Sequence, residues 1–350
     1  MSGMILTARK PIRLCHVSVS HDTSERVKEL LLNGVVGQSE IIEEFEEKFA
    51  RWLGVKYAVA VSSGTMADTI ALAVLKHFYP GRDKVIVPAL TFIAQVNAIT
   101  YNGLKPVFVD HDQATVAADI EKTLCFFPVH LLGKPALHSW SGLYSCIEDA
   151  CEAMGSQING RKCGTIGGMG TFSFFPSHVI TTGEGGMIAT NNEDFALLAR
   201  RLRNHGKTSN AEFHFDVVGF NGKMTSIQAA IGIGMLENLD NVIQRRRQVY
   251  LALGGKEEPG EFISPHAFPV MCENEAARDQ MLNKLRENGI ECRNLFSSIP
   301  TQEKAYAHLG HKIGDFPAAE DIGRRGLYTP CHHGLTDEDI QKIKAVLSEA

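Results

Sequence analysis

The run Phe172-Ser-Phe-Phe-Pro-Ser-His-Val-Ile-Thr-Thr-Gly-Glu-Gly-Gly186 constrains this chain more than any other stretch. Apolar residues come first, then hydroxyls, then one ionisable side chain, His178, and then a glycine-rich turn. This order predicts a strand that delivers a reactive group to a phosphate-bearing ligand. Gly183, Gly185 and Gly186 admit positive φ beside such a ligand, although a plain turn would use them too.

The remaining chain supplies a frame for that strand. Residues 24 to 33 predict a short helix closed by Gly34, and a second helix after Ser39 sets Ile41, Phe45, Phe49 and Trp52 on one stripe before Gly54. Short β-rich runs follow at Tyr57–Val61, Val85–Pro88, Thr91–Ala94, Pro106–Asp110, Phe126–His130 and Cys146–Asp149, alternating with helical stretches. Such alternation predicts an α/β chain, a sheet with helices on its faces. Composition shifts at Gly254-Gly-Lys-Glu-Glu-Pro-Gly260, dividing a large domain, residues 1–250, from a small C-terminal α/β lobe, residues 260–350. In that lobe a last helix is capped by Thr336 with Asp339.

Composition removes several classes of function. A net charge of −5 in 350 residues argues against nucleic acid or an anionic membrane surface as partner. No apolar run approaches the roughly 18 residues of a spanning helix. Residues 1–10 lack the apolar region of a secretory peptide, so a cytoplasmic protein is expected. The eight cysteines include no Cys-x-x-Cys pair and read as reduced thiols.

Individual motifs leave alternatives open. After the strand at 57–61, Ser62-Ser63-Gly64-Thr65 opens a helix, which fits an anion site at a helix N-terminus and an ordinary capped turn equally. His130 either lines a pocket or is a satisfied structural histidine. Arg200, Arg201 and Arg203 read as a solvated helix end. Residues 160–170 are glycine-punctuated but lack the strand-to-helix context of a dinucleotide fingerprint. Cys331-His332-His333 cannot converge on one ion without further ligands, so no metal is expected.

Four motifs keep one order and spacing: Ser-Gly-Thr at 63–65, Glu-Asp-Ala at 148–150, Ser-Phe-x-Pro at 173–176 and Gly-x-Asn-x-x-Met at 219–224. With these the chain resembles the DegT/DnrJ/EryC1/StrS nucleotide-sugar aminotransferases. The resemblance implies fold type I of the PLP-dependent transferases, aspartate aminotransferase-like, with a large mixed-sheet domain, and pyridoxal or pyridoxamine 5′-phosphate (PLP or PMP) as cofactor. It places the cofactor phosphate on Gly64, Thr65 and Ser173, and the cofactor ring under Phe92, a residue that would otherwise read as core. Asp149 is matched to the pyridinium nitrogen, a partner that makes a strand-end carboxylate tolerable. Asn221 reaches a partner's phosphate in relatives, which implies a homodimer with shared active sites.

His178 stands where the family pattern has its Schiff-base lysine. An imidazole cannot form a stable imine, so His178 is expected to work as acid, base or hydrogen-bonding group. The same histidine, and an acid near Glu152, mark a branch that removes the C3 hydroxyl from 4-keto-6-deoxy sugar nucleotides. Glu152 is matched to the cofactor 3′ oxygen. Three readings follow: a 3-dehydratase using PMP, an amino donor such as glutamate and a His178 that titrates near neutrality; an aminotransferase with a noncovalently held cofactor; or a catalytically silent member. The absence of cysteine between Cys163 and Cys272 argues against an iron-sulfur variant.

Overall fold

The computed structural model describes residues 11–110, 121–136, 145–208, 213–295 and 299–348; the N-terminal ten residues read above lie outside them. Two sheets, joined by bridges from Phe126 to Cys146 and from Val129 to Asp149, make one seven-stranded mixed surface. Its strands run in the order Tyr57–Val61, Gly186–Thr190, Met169–Ser173, Ile147–Asp149, Thr123–Phe126, Lys84–Pro88 and Lys105–Val109. Only Gly186–Thr190 is antiparallel to its neighbours. Strands in such a sheet are covered on both faces, and Gly186–Thr190 is buried throughout. The carboxyl ends of the parallel strands therefore share one edge, where ligands of open α/β sheets bind.

Helices fill both faces. Gly64–Phe78 and Ile93–Tyr101 enclose one core with Ile70, Leu72, Val74, Val85, Val96 and Phe127. On the other face Glu40–Leu53 packs Ile42, Phe45 and Phe49 against Phe172 and Phe174. The stripe read from sequence is turned by one position: Ile42 and Leu53 are buried, whereas Ile41 and Trp52 are half-buried. Ser39 caps this helix and Gly54, with φ +90°, ends it. The first helix spans His21–Leu32, three residues earlier than expected, because the Ser20 hydroxyl accepts from the Thr23 N–H.

Two β readings are corrected. Thr91–Ala94 is not a strand: Phe92 is the N-cap of helix Ile93–Tyr101. Strand Thr123–Phe126 ends before His130. The basic helix end is solvated at Arg201, which pairs with the exposed Asp216, but not at its neighbours. Arg200 and the buried Arg203 both pair with Glu46, and Glu46 also accepts from the Ala60 N–H at 2.9 Å.

A third core joins Ile263, Met281, Leu282, Leu285, Leu327, Ile340 and Ile343 of the C-terminal region. Ile12 and Val249, Tyr250 and Leu253 from helix Leu239–Ala252 pack into the same core. Ile12 and this helix thus pack with the C-terminal three-stranded sheet, Phe268–Met271, Gly326–Thr329 and Arg293–Asn294. Thr336 and Asp339 cap the last helix reciprocally, as expected.

Candidate active site

Three strand ends build the floor. Val61, Gly186 and Ser173 lie on one rung of the sheet. A methyl group on Gly186 would meet the Ser63 carbonyl oxygen at 2.3 Å, and one on Gly64 would meet Cβ of Ser173 at 2.7 Å. Glycine at both positions is therefore a packing requirement. It brings the free amides of Gly64 and Thr65 beside the Ser173 hydroxyl while Ser63 caps the helix through the Met66 N–H at 3.1 Å. Amides at a helix N-terminus and a hydroxyl together form an anion cradle.

This cradle opens into a cavity of about 710 Å³. Of the residues singled out from sequence, Gly64, Thr65, Phe92, Asp149, Glu152, Ser173 and His178 all line it. Phe92 is 58 % exposed, which removes the core reading. Asn221 does not line the cavity; it is exposed and bridges Asn204. No lysine is among the described residues that line it. Sequence reasoning missed Asp68 and Cys151 on the floor, and His266, Arg286, Arg293, Asn294 and Tyr328 from the C-terminal region. Asp68 had a legible signal, lying one helical turn beyond Gly64 and so on the same face.

His130 belongs to the structure, not to the cavity. Its Nε2 lies 3.1 Å from Glu148, and its Nδ1 accepts from the Ala136 N–H at 3.0 Å. Burial opposes a charged ring, while Cys163 and Glu148 favour one. The Ala136 N–H requires a lone pair on Nδ1, which fixes the neutral Nε2–H tautomer donating to Glu148. Glu148 also accepts from the N–H groups of Gly164, Ile166 and Gly167, at 2.8, 2.6 and 2.5 Å. The glycine-rich loop is thereby a nest for a buried carboxylate that fixes the strand ending in Asp149.

The reactive edge holds groups with displaced acidities. Asp149 accepts from the Cys151 N–H at 3.0 Å, yet burial raises its pKa. Glu152 accepts from the Leu132 N–H at 2.7 Å, and burial pushes it up to about 7. His178 does not titrate near neutrality: burial, and then the Arg246 charge, lower it to about 4. Its buried Nδ1 has no hydrogen-bond partner, and its ring lies 4.9 Å from that of His266. A neutral imidazole with a free nitrogen is equipped to take a proton.

Fitted against a B6 cofactor, the residues agree with the group: a cradle for its phosphate, an exposed aromatic face, a buried carboxylate and an imidazole with an unpartnered nitrogen. The fold and this site define a fold type I PLP-dependent transferase. The chain belongs to the DegT/DnrJ/EryC1/StrS aminotransferase family, whose profile matches residues 18–348.

Among curated proteins it is 39 % identical over 336 residues to the GDP-perosamine synthase of Caulobacter vibrioides, covering 88 % of this chain and 89 % of that one. It is 29 % identical over 373 residues to the GDP-4-keto-6-deoxy-D-mannose 3-dehydratase of Yersinia pseudotuberculosis, covering 92 % and 94 %. Among solved structures, a GDP-4-keto-6-deoxymannose-3-dehydratase, as a histidine-to-asparagine mutant with bound GDP-perosamine, matches with TM-score 0.85 and 27 % identity over 96 % of this chain and 100 % of that one. The PMP form of a sugar aminotransferase from Streptococcus pneumoniae matches with TM-score 0.86 and 23 % identity over 97 % and 98 %. The comparisons thus favour amino transfer over the dehydration that His178 suggests from sequence.

Proposed function

We propose that this chain is a PLP- or PMP-dependent enzyme acting on a nucleotide-linked keto sugar, and that it holds its cofactor without a covalent tether. The observation that carries the reading is His178 with its unpartnered Nδ1 in a cavity whose described lining contains no lysine. The amides of Gly64 and Thr65 and the Ser173 hydroxyl hold the phosphate, Phe92 covers a ring face, and Asp149 meets the ring nitrogen. Glu152, at about 7, is balanced between donating to and accepting from the ring oxygen. Bound there, the cofactor supplies an electron sink for negative charge on the attached carbon. His178 moves the proton at that carbon. Arg286 and Arg293 line the cavity from the C-terminal region and supply positive charge for a sugar nucleotide's diphosphate.

Amino transfer to the keto sugar is the outcome the relatives support better, since GDP-perosamine synthases are more similar to this chain than the 3-dehydratase is. Dehydration at C3 is the second reading, favoured by His178 and Glu152: His178 would take the proton and return it to the departing hydroxyl. Incubation with glutamate and a panel of 4-keto sugar nucleotides, followed by mass measurement, separates them. Gain of nitrogen supports amino transfer, loss of oxygen supports dehydration, and an unchanged panel rejects both. A cytoplasmic homodimer completes the proposal, with Asn221 facing a second copy; among the described residues no helix is long and apolar enough to cross a membrane.

A further inference from the structure

Two carboxyl groups meet on the cavity floor. Asp68, on helix Gly64–Phe78, is 1 % exposed, and Asp149, at the end of its strand, is 5 % exposed. Ligand atoms of Asp68, Asp149 and Cys151 all lie within 4.8 Å of one another. Oδ1 of Asp68 is buried without a hydrogen-bond partner. His130, the imidazole whose charge would act on Asp149, already donates to Glu148. Thr171 provides a hydrogen bond to Asp68, and Cys151 provides its N–H to Asp149. Two buried carboxylates this close repel each other's charge, so ionising one holds the proton on the other.

We propose that Asp68 and Asp149 are an acid pair sharing one proton, in which the Asp68 carboxyl holds the proton and positions Asp149 as the anion offered to the cofactor's ring nitrogen. The assignment of the proton follows from the partners. Both the N–H and the thiol of Cys151 favour an ionised Asp149, whereas Asp68 has the Thr171 hydroxyl on one oxygen and no partner on the other. Burial, and then the charge of Asp149, push Asp68 well above the usual carboxylate range. The Cys151 thiol, also pushed up by burial and by both acids, stays protonated and adds no charge. Glu152 is the next acid along the floor and is held by the Leu132 N–H. With its negative charge limited to one, the pair matches the single positive charge of a pyridinium. Asp68 is thus a positioning residue, supplied by the same helix that supplies the phosphate amides.

The proposal rests on the cofactor reading above, and its test separates the two. The infrared difference spectrum between the cofactor-free wild type and Asp68→Asn, taken at about pH 8.5 where Glu152 is largely ionised, should show a protonated-carboxyl stretch in the wild type alone. In equilibrium dialysis, Asp68→Asn, whose amide can replace the carboxyl O–H as donor, should hold PMP within about threefold of the wild type. Asp68→Ala should lose about tenfold, the value of one hydrogen bond to a charged group. The absence of a protonated-carboxyl band that depends on Asp68 overturns the pair. So does Asn loosening PMP as much as Ala, no effect of either change, or a stoichiometric divalent metal retained by the cofactor-free protein. If the wild type binds neither PLP nor PMP, the cofactor reading fails, and the infrared band still decides whether the proton is shared.

Discussion

The guanidinium of Arg246 donates to the backbone carbonyl of His178 at 3.0 Å. Arg246 is 1 % exposed and also donates to the carbonyls of Pro265, His266 and Cys331, at 3.0, 3.2 and 3.2 Å. Carbonyl oxygens accept from both of its terminal nitrogens, while Nε is left without a partner, and none of them cancels its charge. The residual field acts on His178, and the hydrogen bonds tie the loop that carries it to the segment that carries His266.

Replacing Arg246 by Met should therefore raise the pKa of His178 from about 4 towards its ordinary value of about 6.5. The acid limb of a pH–rate profile would move up with it. Four carbonyls lose their donor, so a stability loss of about 2–4 kcal/mol should accompany the change. Denaturant unfolding and the pH profile measure the two effects separately. An unmoved acid limb would show that Arg246 acts only as a structural clamp.

His178→Gln should lower turnover by about 10²- to 10⁴-fold, the usual worth of a positioned proton-transfer group, with a smaller effect on cofactor retention. His178→Lys should convert released cofactor into a borohydride-fixable adduct, visible as added mass on the intact protein. The wild type should show no such adduct.

Acid should destabilise the folded chain between about pH 6.5 and 4. His178, His332 and His333 are each lowered by burial to about 4, and His266 falls well below its ordinary value. All four stay neutral when folded but take up protons when unfolded once the pH drops below about 6.5, so stability rises with pH across this window. Scanning calorimetry should show Tm falling as the pH is lowered through it.

Glu148→Ala should cost about 3–5 kcal/mol, because it leaves the N–H groups of Gly164, Ile166 and Gly167 and the His130 N–H without an acceptor. Thermal unfolding would register the loss. Gly186→Ala is a different case. Its new methyl would meet the Ser63 carbonyl oxygen at 2.3 Å, so the cradle must spread and cofactor retention on dialysis should fall more than stability does.

Much of the site was legible because its chemistry is local. Gly64 and Thr65 follow a strand within four residues, Ser173 and Asp149 end strands, and His178 sits in a loop whose residue order is itself the signal. Periodicity located most helices, and it failed where a cap decided the boundary, as with the Ser20 hydroxyl, or where apolar residues began a helix, as at Thr91–Ala94. The Arg200 and Arg203 charges looked solvated because Glu46 is far away in sequence and adjacent only in the fold.

The sequence by itself determined the alternation of strands and helices, the hydroxyl and glycine cradle, and the presence of an imidazole where the family pattern has an amine, since each is written in neighbouring residues. Only the tertiary structure decided that His130 serves Glu148, that burial and then the field of Arg246 keep His178 neutral, and that Asp68 faces Asp149. Those outcomes depend on burial and on distances between segments far apart along the chain, and acidity inside a protein is set by such surroundings more than by the residue that carries it.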